Sequence, residues 1–198
     1  PYNKTESEQQ IYLNGIKEYL ECTNEIVCHL PYGGVNNLAS YNLIDQTMKR
    51  IKDAIIFSSN LPIKKLTLHP GHMDGTLEKE EAYKLMCKNI KELCRFAGKY
   101  GMTIMLENLV GRQEFMKTSD EYLEMKKQIN EDNLKFIFDV AHYYSAQIDE
   151  VKDIVLFIQK VKDDLIHLHV SDNDGTRDAH AKLGTGTIPY KAFFKALN

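Results

Sequence analysis

Five short apolar segments, each ending in an imidazole or carboxylate side chain, restrict the fold of this 198-residue sequence more than any other feature. Helical segments separate them, and the segment ends recur every 30 to 40 residues, about one strand–helix unit each. Strands that are apolar almost throughout are typical of parallel sheets covered by helices. In a parallel barrel all strands end at one rim. We therefore predict an α/β fold of the (β/α)8 TIM-barrel type, with a rim formed by His29, His69, Glu107, Asp139 and His169.

Hydrophobic periodicity predicts the individual elements. Helices are expected at residues 6–21, 42–58, 77–99 and 149–162. The pattern from Thr118 to Glu121 fits a capping box and predicts a further helix to about Ile129. Pro189 suits the first turn of a last helix. The predicted strands are residues 25–30, 64–69, 102–106, 134–138 and 165–170.

Composition limits the class of protein. The net charge of −3 argues against a broad basic surface for nucleic acid. The sequence has no apolar run long enough to span a bilayer and no signal-peptide pattern. Its four cysteines form no CxxC pair, and Cys87 and Cys94 share one face of a predicted helix as core residues. We expect a reducing, cytoplasmic environment, with disulfide bonding as the less favoured alternative.

The segment from Leu165 to Gly186, LIHLHVSDNDGTRDAHAKLGTG, follows the last predicted strand and is dense in potential metal ligands. Carboxylates and imidazoles this close repel one another or compete for protons unless a cation lies between them. The alternative is a polar surface loop with turn-forming Asp and Gly. Taken singly, each strand-end residue is also explained as a helix cap or a hydrogen-bonded structural residue. Five such residues in phase favour a divalent-metal site.

Six motifs in this order resemble the xylose isomerase-like barrel superfamily, which contains sugar and sugar-phosphate isomerases and epimerases and also endonuclease IV. The resemblance runs from residue 29 to residue 186, most of the chain. The motifs are HLPY (29–32) with NLAS (37–40), HPG (69–71), ENL (107–109), DVAH (139–142), HVSD (169–172), and DAH (178–180) with LGTG (183–186).

The resemblance implies three groups of metal ligands. His29, His69 and Glu107 would hold one divalent ion, and Glu107 would share a second with Asp139 and His169. A third group, used by the nuclease branch, would be His142, Asp178 and His180. Zn, Mn and Co are the expected metals. In the isomerases a carboxylate removes a proton beside a carbonyl and the metal stabilises the resulting enediolate, so Glu107 is both ligand and candidate catalytic base. The candidate substrate-binding residues are Tyr32, His72, Asn108 and Asp172.

The sequence departs from the family barrel in its number of strands. Such a barrel has eight, and a glutamate at the end of the last one completes the metal site. The predicted strands match only its middle members, so the first and the last are missing. We therefore expect residues 1–198 to be a single, incomplete barrel domain of a longer natural protein, because open sheet edges leave backbone groups unpaired.

Three functions compete on the sequence alone. A metal-dependent isomerase or epimerase of a sugar or sugar phosphate is preferred. The interval from His169 to Asp178 is short for a DNA-contacting loop, and its acidic residues repel phosphate backbones. An endonuclease IV-like abasic-site nuclease is the alternative, and a non-catalytic metal- or sugar-binding barrel is the third. A local basic rim would suit a sugar phosphate or nucleic acid. The default alternative is that these basic side chains are simply solvated surface. The residues concerned are Lys64, Lys65, Arg112, Lys117 and Arg177. The oligomeric state stays open.

Overall fold

A curled sheet of five parallel strands forms the centre of the fold in the computed structural model, which describes residues 4–20, 22–23, 25–33, 35–146 and 154–197. The strands lie side by side in chain order, so each βα unit adds one strand to the same edge. The sheet is a half-barrel, as expected for a TIM-type barrel with strands missing. The strands are β1 (Val27–His29), β2 (Lys65–Leu68), β3 (Thr103–Glu107), β4 (Leu134–Asp139) and β5 (Leu165–His169).

Six of the seven helices described were predicted from the sequence. The exception is α5, a short helix directly after β4. The part of the predicted helix 149–162 that precedes residue 154 lies outside the described residues. The helices are α1 (Glu6–Leu20), α2 (Ile44–Ser59), α3 (Lys79–Gly98), α4 (Ser119–Ile129), α5 (Val140–Ser145), α6 (Ile154–Val161) and α7 (Tyr190–Ala196).

The capping box at the start of α4 is confirmed. The Thr118 hydroxyl accepts a hydrogen bond from the Glu121 amide at 3.2 Å, and the Glu121 carboxylate accepts one from the Thr118 amide at 3.3 Å. These two bonds satisfy amide groups that a helix start otherwise leaves unpaired. They fix where the chain turns from the loop after β3 into the next helix.

Strand register places the predicted ligands at one rim. Val27 to His29 pair with Lys65 to Thr67, and Asp139 pairs directly with His169. Because every strand runs in the same direction, the carboxyl ends meet on one side of the sheet. Aromatic rings fill the space between the sheet and its outer helices, where Phe136 contacts Tyr122, Phe138 and Phe157 with ring centroids 4.7 to 6.2 Å apart. The rim is thus carried by a well-packed core.

The thiols of α3 lie in that core, as predicted. Burial raises the pKa of Cys87 to about 11 and that of Cys94 to about 12, whereas Cys22 is exposed. Thiolate is the reactive form. We expect Cys87 and Cys94 to resist a thiol reagent such as Ellman's reagent at pH 8 in the native protein and to react after denaturation in urea. Cys22→Ser is the matched control and removes a fast-reacting thiol. Cys22 and Cys28 lie outside α3, so fast reaction of more than two thiols in the native protein would contradict the packing of α3.

Among the described helices, none combines the length and the apolar character that a membrane span requires.

Candidate metal centre

The carboxyl-end rim encloses a cavity of about 390 Å³, and its described lining includes seven of the eight predicted ligands, all but Asp139. Strand ends contribute His29, His69, Glu107 and His169, and α5 contributes His142. The loop after β5 adds Asp178 and His180. The other lining residues are Tyr32, Gly33, Asn36, Gly71, His72, Leu109, Val110 and Glu114.

Glu107 lies at the centre of the site, with its side chain only 2% exposed. Its Oε2 is 3.3 Å from His29 Nε2 and 3.2 Å from His69 Nε2. Its Oε1 lies 2.9 Å from His169 Nδ1. One carboxylate therefore joins side chains from β1, the end of β2, and β5.

The imidazoles determine the charge of Glu107. Burial acts to raise the pKa of this carboxyl, but His169, His29 and His69 outweigh burial and hold the pKa well below its usual range. In return, the hydrogen bond to Glu107 raises the pKa of His169. Glu107 is therefore ionised at neutral pH, the state that binds a cation or accepts a proton.

Asp139 is almost wholly buried beside Glu107, at 1% exposure. Burial raises the pKa of Asp139, and the negative charge of Glu107 adds to that effect. One of its oxygens caps α5 by accepting the His142 amide at 2.8 Å, and Oδ2 lies 3.7 Å from His169 Nδ1. Two buried carboxylates with oxygens within 4.8 Å of each other are costly without a cation to share.

The third group lies beside the first two. His142 Nε2 is 3.3 Å from Asp178 Oδ2, and His180 Nε2 is 3.1 Å from the same carboxylate. His180 has a φ of 43°, in the left-handed region that non-glycine residues rarely adopt. Such backbone strain is concentrated at functional sites. The sequence placed these three residues together only through the family resemblance.

The donor atoms fit a divalent cation. In each of the three groups the candidate ligand atoms lie within 4.8 Å of one another. Glu107 Oε2 is buried and makes no hydrogen bond, although two imidazole nitrogens lie within 3.3 Å of it. His29 Nδ1 donates to the Leu30 carbonyl at 2.9 Å, which leaves Nε2 with the free lone pair. Mixed imidazole and carboxylate sets suit Zn, Mn or Co.

The four predicted substrate contacts divide into two pairs. Tyr32 and His72 line the cavity. Asn108 and Asp172 are not among its described lining residues and are 1% and 2% exposed. Both side chains hydrogen-bond to neighbouring backbone, and their role in substrate binding stays a prediction.

Asp172 occupies the glycine loop that follows β5. Its carboxylate accepts the amides of Asn173 at 2.9 Å and Gly184 at 2.8 Å. A Cβ at Gly186 would lie 2.1 Å from the Asn173 carbonyl oxygen and 2.4 Å from Asp172 Oδ1, so only glycine fits there. Since an internal carboxylate already engages these amides, they are not free to hold a substrate phosphate.

Sequence reasoning missed two polar lining residues, Asn36 and Glu114. Both lie in loops after strands, which is the only signal that could have found them. The sequence left Lys65 open between a local basic rim and solvated surface, and its placement argues against the rim. Lys65 begins β2, at the opposite end of the sheet, where it pairs with Glu25 at 2.6 Å.

A family model for the xylose isomerase-like TIM barrel matches residues 3–198. The chain belongs to this family. The resemblance drawn from the motifs is thereby confirmed, together with the fold class.

The proteins similar to this chain carry different names. An uncharacterized protein of Methanocaldococcus jannaschii is 29% identical over 184 residues, covering 90% of this chain and 61% of the relative. A solved D-tagatose 3-epimerase-like protein is 27% identical with a TM-score of 0.83, covering 98% of this chain and 72% of its own. A probable endonuclease 4 of Persephonella marina is 23% identical, covering 98% and 72%. The chain thus spans less than two thirds of the length of the Methanocaldococcus jannaschii protein.

Proposed function

We propose that this chain carries the metal centre of a divalent-metal-dependent sugar isomerase or epimerase, with Glu107 as shared ligand and proton acceptor. The convergence of three strand-end imidazoles, His29, His69 and His169, on the buried, ionised carboxylate of Glu107 carries the proposal. The similarity to a D-tagatose 3-epimerase-like protein supports the sugar substrate. The single-domain, incomplete-barrel interpretation of residues 1–198 remains part of the same proposal.

The residues proposed to hold metal are the eight members of the three groups. When bound, a divalent cation supplies Lewis-acid stabilisation of negative charge that develops on substrate oxygens. Glu107 contributes a carboxylate that needs no deprotonation before it accepts a proton from a carbon next to a carbonyl. Tyr32 and His72 lie at the cavity wall, where they can contact sugar hydroxyls. The groups are His29, His69 and Glu107; Glu107, Asp139 and His169; and His142, Asp178 and His180.

The charge of the cavity favours an uncharged sugar over a phosphate ester. Among the described lining residues there is no Lys or Arg, whereas Glu107, Glu114 and Asp178 are acidic. In the loop after β5, Asp172 engages the amides of Asn173 and Gly184. Apart from the proposed metal ions, a phosphate would therefore meet acidic side chains and no Lys or Arg in the described part of this wall.

An abasic-site endonuclease is the second candidate. The presence of the third ligand group, His142, Asp178 and His180, favours it, as does the similarity to a probable endonuclease 4. The same lack of Lys and Arg in the described cavity wall weighs against a phosphodiester substrate.

One experiment tests the ranking. The purified protein, loaded with Mn²⁺, Co²⁺ or Zn²⁺, is incubated in D₂O with D-tagatose or D-fructose, with the 6-phosphate of each, and in parallel with an abasic-site duplex. We expect NMR to detect deuterium beside the carbonyl of the unphosphorylated ketoses, and EDTA to abolish it. Efficient incision of the duplex without sugar exchange would reverse the ranking. Bound metal with neither reaction would favour the non-catalytic barrel.

A further inference from the structure

We infer that Asn108 is a positioning residue that sets the geometry of Asp139 and His142, and through them the second and third ligand groups. The inference rests on the proposed function only in treating these two residues as metal ligands. In this inference Asn108 orients two candidate ligands of the site, whereas the sequence predicts that it contacts substrate.

The side chain of Asn108 continues the sheet beyond the end of β3. Its Nδ2 donates to the Asp139 carbonyl at 3.0 Å, and its Oδ1 accepts the Asp139 amide at 2.8 Å. Backbone pairing between β3 and β4 extends to Glu107 opposite Ile137. The side-chain amide therefore substitutes for the next peptide group and fixes Asp139 on both of its backbone atoms.

The backbone of Asn108 fixes the tautomer of His142. The Asn108 carbonyl oxygen lies 2.9 Å from His142 Nδ1, and a carbonyl only accepts hydrogen bonds. Nδ1 therefore carries the proton in the neutral ring. Nε2 is left with a free lone pair, and it is the atom that faces Asp178 at 3.3 Å. Hydrogen bonds of this kind orient ligand histidines and raise their basicity.

Asp139 transmits the constraint to α5. Its carboxylate accepts the His142 amide at 2.8 Å, so Asn108 holds both the residue that caps the helix and the ligand on its first turn. With Asn108 at 1% exposure, no solvent competes for these bonds. A second asparagine at this rim bonds to both backbone groups of another residue in the same way. The Asn37 side chain accepts the His72 amide at 3.1 Å and donates to the His72 carbonyl at 2.9 Å.

The test compares Asn108→Ala and Asn108→Asp with Asn89→Ala. Asn89 is also a buried asparagine, at 5% exposure, whose amide donates to the Leu38 carbonyl at 2.9 Å outside the cavity wall. Co²⁺ titration, followed by the visible spectrum of the bound ion, gives affinity and stoichiometry, and urea unfolding gives stability. We expect both Asn108 variants to bind Co²⁺ about 10- to 100-fold more weakly, while Asn89→Ala loses stability and keeps its affinity.

A second measurement needs neither metal nor a folded variant. Long-range ¹H–¹⁵N NMR of the metal-free wild-type protein should show neutral His142 with its proton on Nδ1. A proton on Nε2 would overturn the inference, and so would unchanged Co²⁺ affinity in a folded Asn108→Ala protein. Absence of Co²⁺ binding by the wild-type chain would instead refute the proposed metal function. In that event the His142 tautomer in the wild-type protein decides the inference alone.

Discussion

Glu107→Gln is expected to weaken metal binding by more than about 100-fold. Glutamine keeps the size of the side chain but removes the charge that His29, His69 and His169 surround. It also removes the one side chain common to two of the ligand groups. If the chain turns over a sugar, we expect the rate to fall by a further factor of about 10² to 10⁴, the usual contribution of a general base.

Isothermal titration with Mn²⁺ or Zn²⁺, with circular dichroism to confirm folding, measures the effect of this substitution. Glu114→Gln is the matched control, because Glu114 lines the same cavity but belongs to none of the ligand groups. We expect Glu114→Gln to bind metal as the wild-type protein does. Equal affinities for wild type and folded Glu107→Gln would refute the central role of Glu107.

Phe136→Ala is expected to lower the free energy of unfolding by about 3 to 5 kcal/mol. Phe136 is fully buried in β4, and its ring contacts Tyr122, Phe138 and Phe157. Truncation leaves a cavity between the sheet and the outer helices, and the rigid strand cannot move to fill it. Because β4 ends at Asp139, the candidate metal site should loosen together with the core.

Urea denaturation followed by far-ultraviolet circular dichroism measures this loss. Phe194→Ala is the matched control, since the ring of Phe194 is 47% exposed on α7. We expect the control to lose about 1 kcal/mol or less. A loss for Phe136→Ala no larger than that of the control would show that the aromatic cluster is not the packed core described above.

Short-range signals explain why the order of elements was predictable. The period of apolar residues distinguishes strand from helix, and a capping box at Thr118 marks one helix start. The missed helix α5 had a usable signal, because Asp139 is a good N-cap residue and its carboxylate does accept the His142 amide. It was overlooked because a six-residue helix is too short to show a periodic apolar face.

The sequence by itself determined which residues reach the rim, since strand direction and spacing place His29, His69, Glu107, Asp139 and His169 at the same ends of parallel strands. Only the tertiary structure decided where the residues just beyond the strands point. Asn108 and Asp172 turn onto neighbouring backbone, whereas Glu114 and Asn36 line the cavity. The reason is physical. A residue past a strand end has no fixed alternation of faces, so its direction depends on which unpaired backbone groups the adjacent loops bring within hydrogen-bonding distance.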